Sequence, residues 1–503
     1  MSIRITGMAS GLDTDSMVQE LVKAYEEKGE KYTKERTKTE WKQEAWATLN
    51  TKIKNFYSKY ANNMRFSESY LKKATTVSDS SKASIVASNN AVSGTQTLKV
   101  NSLATTAYLT GSELTVSGEK AKSTTTLGDL GYTGEEATIY INWGKQTDGS
   151  YDVTRQITVD KDTTLADFAK QVTAAGCTAS YDESTGRFFI SAKDSGESSN
   201  FYFTGEGDVQ NALGALGLTS DAGAVKIDGV DAEIELNGVN FKSGSNTFSI
   251  NGLTITAKDV TTGSGVNIVT DTDYDSIYSN IKSFFKEYNS LINEMDKLYN
   301  ADSASTYEPL TDEEKDALTD TEIEKWETKI KDSLLRRDSD LDTISSAMRN
   351  AMLKTYEVNG TTYSLSSFGI STLGYFDAAD NEKNAYHIDG DPDDADTSGN
   401  TDKLKAMIAS NPTDTAAFFQ KLAGGLYDAM NKIQSRSDNY TSYGNFYSDK
   451  KLTNDYTDQT KQIEKWEDYV ADMEDKYYSQ FSAMESALTT LQSQQSYISQ
   501  LFA

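Results

Sequence analysis

Cysteine, histidine and proline are nearly absent from this chain of 503 residues, which holds one cysteine (Cys177), one histidine (His387) and three prolines. A single cysteine makes no internal disulfide, and one cysteine with one histidine cannot build a Cys/His zinc site. A Ser-His-Asp or Cys-His mechanism would have to run through His387 alone, so such chemistry loses most of its prospect before any motif search. Three prolines lie far below the usual share of roughly 5%, which suits long helices and many strands that proline would break. No apolar run reaches the roughly 18 residues that suggest a transmembrane helix, so no membrane insertion is expected. Residues 1–13 carry one early base, Arg4, and no apolar stretch, so a cleaved secretory signal peptide is not expected either. With 49 bases against 76 acids the net charge is −27, which argues against a nucleic-acid partner, since that needs a basic footprint.

What is present falls into three zones. From about Leu12 to Leu71 the sequence predicts helix, capped by Asp13 or Thr14 with Asp15 in the first turn. Steps of three and four pick out Val18, Leu21, Tyr25, Lys28, Tyr32, Glu35, Thr39, Lys42, Trp46, Leu49 and Ile53, a seam with apolar ends and a charged middle. Gly29 weakens the same stretch by up to about 1 kcal/mol relative to alanine, so a loose joint is expected near Glu27–Glu44. From about Thr75 to Thr270 strand signals take over. Alternation at Ile234/Leu236, Phe248/Ile250 and Leu253/Ile255 marks strands, with turns at Asp228-Gly229, Asn237-Gly238 and Asn251-Gly252. Within this zone two strands (137–143, 155–159), a short helix over Leu165–Val172 and two more strands (178–181, 187–192) predict a small inserted α+β domain.

From about Asp271 onward helix returns, over 274–299, 320–335, 339–353, 402–409 and 414–433. The last helix carries the strongest signal. Alternating steps of four and three give Leu452, Tyr456, Gln459, Ile463, Trp466, Val470, Met473, Tyr477, Gln480, Met484, Ala487, Leu491, Gln494, Ile498 and Leu501. A strict 3.5-residue repeat over about seven heptads predicts a left-handed supercoil about 75 Å long. Neither terminal helix buries its stripe alone, so the two are expected to pair with each other or with other subunits, while the β-rich middle projects outward. Residues 1–75 hold 14 bases and 10 acids, whereas 301–400 hold 23 acids and 9 bases, so the charge excess sits largely in the second half.

Candidate chemistry is sparse. Asp389, Asp391 and Asp393 fall on positions 1, 3 and 5 of an EF-hand loop, but Asp394 stands where glycine is needed and Asn400 where glutamate is needed, so a solvated loop is expected, with His387 beside it in a packing role. No phosphate loop occurs, and Gly214–Gly217 lacks the pattern. No catalytic residue, metal or cofactor is expected. The pentapeptide Ile-Glu-Lys-Trp-Glu appears twice, at 323–327 and 463–467, on predicted helices both times.

The pieces resemble one family, the flagellar hook-associated protein 2 or filament cap proteins. Residues 7–21, centred on Ser10-Gly11-Leu12-Asp13, are similar to its N-terminal signature, and 93–104 to the start of its β domains. Asn237-Gly238 with 245–247 and 252–255 is similar to its return strands; Phe284-Phe285 with Tyr288-Asn289, 367–371, and Asn411-Pro412 with Phe418-Phe419 are similar to its helical domain. Residues 484–502, ending in Leu501-Phe502, resemble its C-terminal signature.

The resemblance implies a multidomain α+β fold: long terminal coiled-coil helices, a helical domain, and β-rich outer domains inserted in the middle. The expected division is 1–45 (axial segment), 46–75 with 271–440 (helical domain), 76–125 with 221–270 (β-rich domain), 126–220 (small α+β outer domain) and 441–503 (C-terminal coiled-coil segment). It further implies a non-enzymatic assembly protein at the flagellum tip, outside the cell, exported by the flagellar type III route. There it forms a ring-like homo-oligomer and helps exported flagellin to fold and add, with hook-filament junction proteins and an export chaperone as further partners. The residues expected in self-assembly or axial contacts are Ser10, Gly11, Leu12, Asp13, Val18, Leu21, Leu452, Ile463, Trp466, Val470, Met473, Met484, Leu491, Ile498, Leu501 and Phe502. The competing readings are another flagellar axial protein and a surface adhesin on a coiled-coil stalk; the early Ser-Gly-Leu-Asp run and the long β insertion favour the cap.

Overall fold

The computed structural model describes residues 10–374 and 376–501. Leu71–Asp273 forms one compact unit, and the residues on either side of it form another.

In the helical unit the first helix runs unbroken from Thr14 to Asn55, then widens into a π-helical turn, Phe56–Ala61. The expected joint at Glu27–Glu44 is not there. The charged middle is half-covered by distant residues: Lys34 pairs with Glu314 at 3.1 Å, Lys42 with Asp338 at 2.7 Å, and Lys331 lies 4.4 Å above the Trp41 ring. Asp338 has a second task, since it caps the helix Ser339–Met352 by accepting from the Asp340 and Leu341 amides. A carboxylate at a helix start is favoured by the helix dipole, so one side chain begins a helix and steadies another.

From Trp46 onward the first helix enters the main core. It packs Trp46, Leu49, Ile53 and Phe56 with the buried stripes of Tyr274–Tyr299 (Ile277, Ile281, Phe284, Phe285, Tyr288) and Pro412–Gln434 (Phe418, Phe419, Leu422, Leu426). Pro412 occupies the first turn of its helix, where its missing N–H is no loss. The stripes follow steps of three and four, which set one apolar face per helix against its neighbours. Ring packing fixes their depth: Phe418 stacks on Phe368 at 4.7 Å and meets Phe419 edge-on at 5.2 Å.

The β unit holds two cores. The first lies between a five-stranded antiparallel sheet, in the order 73–77, 266–272, 94–102, 232–236, 239–243, and a three-stranded one, 247–250, 253–257, 83–87. Leu98, Ile234 and Ile268 from one sheet meet Phe248 and Ile255 from the other. Asn237-Gly238 and Asn251-Gly252 turn with positive φ at both residues, as two-residue hairpins require. The expected turn at Asp228-Gly229 is instead a crossing. Strand 225–227 pairs with 106–110 in another sheet, and the chain then passes into 232–236. Asn200 clamps the crossing by accepting from the Gly229 amide at 2.6 Å and donating to its carbonyl at 3.0 Å.

The second core holds the expected β-β-α-β-β run: strands 136–145 and 151–160, the helix Leu165–Ala175, and strands 178–182 and 187–195. Residues 106–125, assigned by sequence to the β-rich domain, pack here instead, because strand 106–110 pairs with 187–195. Cys177 is fully buried in this core, and burial pushes its thiol up to about 12.

Phe418→Ala is expected to cost about 3–5 kcal/mol through the cavity it leaves. The check is the denaturant midpoint of the far-UV helical signal, and a loss under about 1 kcal/mol would contradict the packing described.

Candidate functional site

The two terminal helices lie antiparallel, with residue numbers across the pair adding to a nearly constant value. At the open end the Ser10 amide donates to one Glu485 carboxylate oxygen at 3.1 Å, and the Ser10 hydroxyl donates to the other. Gly11, at φ +70°, turns the chain, and the Leu12 amide returns to the Ser10 hydroxyl oxygen at 3.2 Å. Asp13 then caps the first helix, accepting from the Ser16 amide at 3.1 Å and the Ser16 hydroxyl at 2.7 Å. These bonds to Ser16 hold the Asp13 carboxyl below its ordinary value. The Ser-Gly-Leu-Asp run is therefore a start signal for one helix and a hook onto the other.

Below the hook Val18, Val22 and Tyr478 form a small buried cluster, with Val470, Tyr477 and Phe481 packed on it. Tyr25 meets Tyr469 edge-on at 5.8 Å and approaches the Tyr477 hydroxyl at 3.4 Å. Next comes Trp466, whose indole N–H donates to the Tyr25 carbonyl at 2.7 Å and whose ring lies against Gly29. A β-carbon on residue 29 would sit 2.2 Å from Trp466 Cδ1. Gly29 is thus a seat for the indole. The twin pentapeptide behaves alike, for Trp326 donates to the Glu308 carbonyl at 2.8 Å. Arg36 over Tyr456 follows, and then Asn50, whose side chain accepts from the Phe446 amide at 3.1 Å and donates to Asn445 at 3.1 Å. Trp46 stacks flat on Tyr447 at 5.0 Å.

Several expected site residues lie in this pair: Ser10, Val18, Ile463, Trp466, Val470 and Met473 are buried, half-buried or hydrogen-bonded within it, while Asp13 is exposed and caps its own helix. Leu452 packs at the edge of the main helical core. Others face outward. Leu21 is 41% exposed, and Val22 takes its place. Met484 is 37% exposed while its neighbour Glu485 is 1% exposed. The cause is helix geometry, since at 3.6 residues per turn a straight helix drifts about 20° per heptad from a 3.5 repeat. The seam moves from Ile463 and Val470 to Tyr478 and Glu485, and a 3.6-residue reading would have found both.

Beyond Glu485 the helix runs on to Leu501. Leu491, Ile498 and Leu501 are each more than half exposed, as is Tyr497, and residues 486–501 contain no charged side chain. Leu12 is exposed at the start of the pair. Phe502 lies outside the described residues. Among the described residues, no helix is long and apolar enough to cross a membrane.

The acidic loop is tied down by local partners. Lys282 reaches Asp391 at 2.5 Å and Asp393 at 2.6 Å, Asn400 donates to Asp389 at 2.8 Å, and His387 Nδ1 lies 2.7 Å from Asp394 Oδ2. Asp391 and Asp393 thus share Lys282, while Asp389 faces Asn400.

Two family models match the chain: the one described as flagellar hook-associated protein 2 N-terminus over residues 10–107, and the one described as flagellar hook-associated protein 2 C-terminus over residues 229–493. Over 546 aligned residues, 99% of this chain and all of the relative, the sequence is 26% identical to the flagellar hook-associated protein 2 of Halalkalibacterium halodurans. It is 22% identical to that of Thermotoga maritima, over 99% of this chain and 95% of the relative. The crystal structure of the D1-D2-D3 domains of the Escherichia coli flagellar cap protein FliD has a similar fold, with a TM-score of 0.55 at 18% identity, covering 78% of this chain and 97% of that one.

Two outcomes follow for the pair. Helix propensity favours alanine over glycine by up to about 1 kcal/mol, yet Gly29→Ala is expected to loosen the helices, read as faster amide hydrogen exchange across residues 14–36; unchanged or slower exchange would contradict the seat. The Asp13 cap has a lowered folded pKa, so its contribution is complete above the ordinary carboxylate range and is lost as pH falls through the lowered value. Amide exchange at Ser16 and Met17 should accelerate there, and Asp13→Asn should remove the pH step.

Proposed function

The chain belongs to the flagellar hook-associated protein 2 family, and from that membership we propose that it caps the growing flagellar filament and promotes folding and incorporation of exported flagellin there. The observation that carries the reading is the exposed apolar end of the last helix. Leu491, Ile498 and Leu501 lie exposed along a segment with no charge. Exposed apolar side chains spaced along one helix favour a helical partner. The absence of charge on 486–501 removes repulsion between identical tails in a protein of net charge −27.

In this reading the terminal segments 1–45 and 441–503 form the axial part, 46–75 with 271–440 the helical domain beside it, and the β-rich parts the outer domains. The protein works without covalent catalysis, as a ring-like homo-oligomer in contact with flagellin and the hook-filament junction proteins. It is served by an export chaperone and reaches the filament tip without a cleaved signal peptide. Leu12, Leu21 and Met484, exposed beside the pair, supply further assembly contacts.

Deletion in the source bacterium tests the role: unpolymerised flagellin in the medium with short or absent filaments is expected, and normal filaments would overturn it. The tail is tested separately. Leu491→Glu/Ile498→Glu, at positions 58% and 54% exposed, should leave helical content intact yet abolish oligomers in sedimentation and fail to restore filaments. A double variant that assembles and restores them would remove the tail from the mechanism.

A further inference from the structure

One side of the terminal helix pair carries a groove of about 330 Å³. Its floor is apolar, made by Ile463, Trp466, Val470 and Ala471 of the last helix, with the Trp466 ring seated against Gly29 of the first. Four carboxylates line it, Glu26 and Glu30 from the first helix and Glu467 and Glu474 from the last, while no lysine or arginine does. The hook at Ser10–Glu485 and the core around Trp46 hold the helices in register on either side of this face. Glu26 and Glu30 stand out in residues 1–75, which are net +4.

We propose that this groove is a docking site for an amphipathic helix of a partner protein, one that presents a large apolar side chain flanked on both sides by lysine or arginine. The apolar side chain lies against the face of the Trp466 ring that the first helix leaves uncovered. The flanking cations reach the glutamate rims, whose field attracts them and rejects an acidic helix. The site differs from the neutral tail of residues 486–501 in position and in chemistry: the tail selects by apolar matching alone, the groove by charge as well.

The test uses full-length protein labelled with 5-fluorotryptophan, whose five tryptophans give separable fluorine resonances, with Trp466 assigned through Trp466→Phe. The probe is a synthetic amphipathic helix with a leucine stripe bordered by lysines, compared with the same helix bordered by glutamates. The expected result is a saturable shift of the Trp466 resonance with the lysine-bordered helix alone, weakening as salt is raised. Because Gly29→Ala also disturbs the pair itself, the second variant is Glu26→Gln/Glu467→Gln, at two exposed positions, which should weaken binding roughly fivefold to tenfold with unchanged helical content. No Trp466 shift, equal binding of both probes, or full affinity in the double glutamine variant would overturn the proposal. So would a Trp466 shift on simple dilution of the protein, which would make a second copy of the chain the occupant.

Discussion

The indole of Trp466 occupies the space that a β-carbon on residue 29 would need, and much of the helical unit depends on that fit. Long antiparallel helices can slide by a turn unless something specific sets their register. Here three contacts set it at widely separated levels: Ser10 on Glu485, Trp466 on Gly29 and the Tyr25 carbonyl, and Asn50 on the Phe446 amide. All three include a hydrogen bond, and a polar contact fails completely when shifted, whereas an apolar one degrades gradually. The ends of the chain are thereby fixed to each other over almost the whole first helix.

Much of this was legible from local pattern. The helix at 274–299, the two Asn-Gly hairpins and the inserted β-β-α-β-β run depend on neighbours within a few residues, and the structure places them as the pattern implies. What escaped was non-local. The first helix seemed broken at its charged middle because the residues that cover it, Glu314, Lys331 and Asp338, lie some three hundred positions away. Asp228-Gly229 had the composition of a hairpin, yet Asn200 and strand 106–110 hold it as a crossing. At the candidate site, the Ser10–Asp13 run stands out in the sequence as a signature, and in the structure Asp13 caps its own helix while Ser10 bonds to Glu485. Glu485, its partner, was passed over because a carboxylate at a seam position looks like a mismatch until the donor is known.

Charge is arranged as finely as shape. Residues 301–400 carry net −14, and part of that excess meets the basic side chains of the first helix. Partly exposed ion pairs contribute little each, so their effect is chiefly to choose which face of the first helix turns toward the acidic segment. The same helix pair shows acidic rims over the groove at Gly29 and no charge at all after Glu485. Three stretches of one assembly thus differ in sign and density of charge.

The lone thiol has a further consequence. Thiol–disulfide exchange begins with a thiolate that can reach a disulfide. Cys177 is sealed inside the second β core, and burial holds its proton well beyond physiological pH. The chain therefore keeps one covalent form in a reducing cytoplasm and in an oxidising medium alike. A protein that moved between the two would carry its fold across without a redox event, and many copies crowded together would stay separable, joined only by contacts that can exchange.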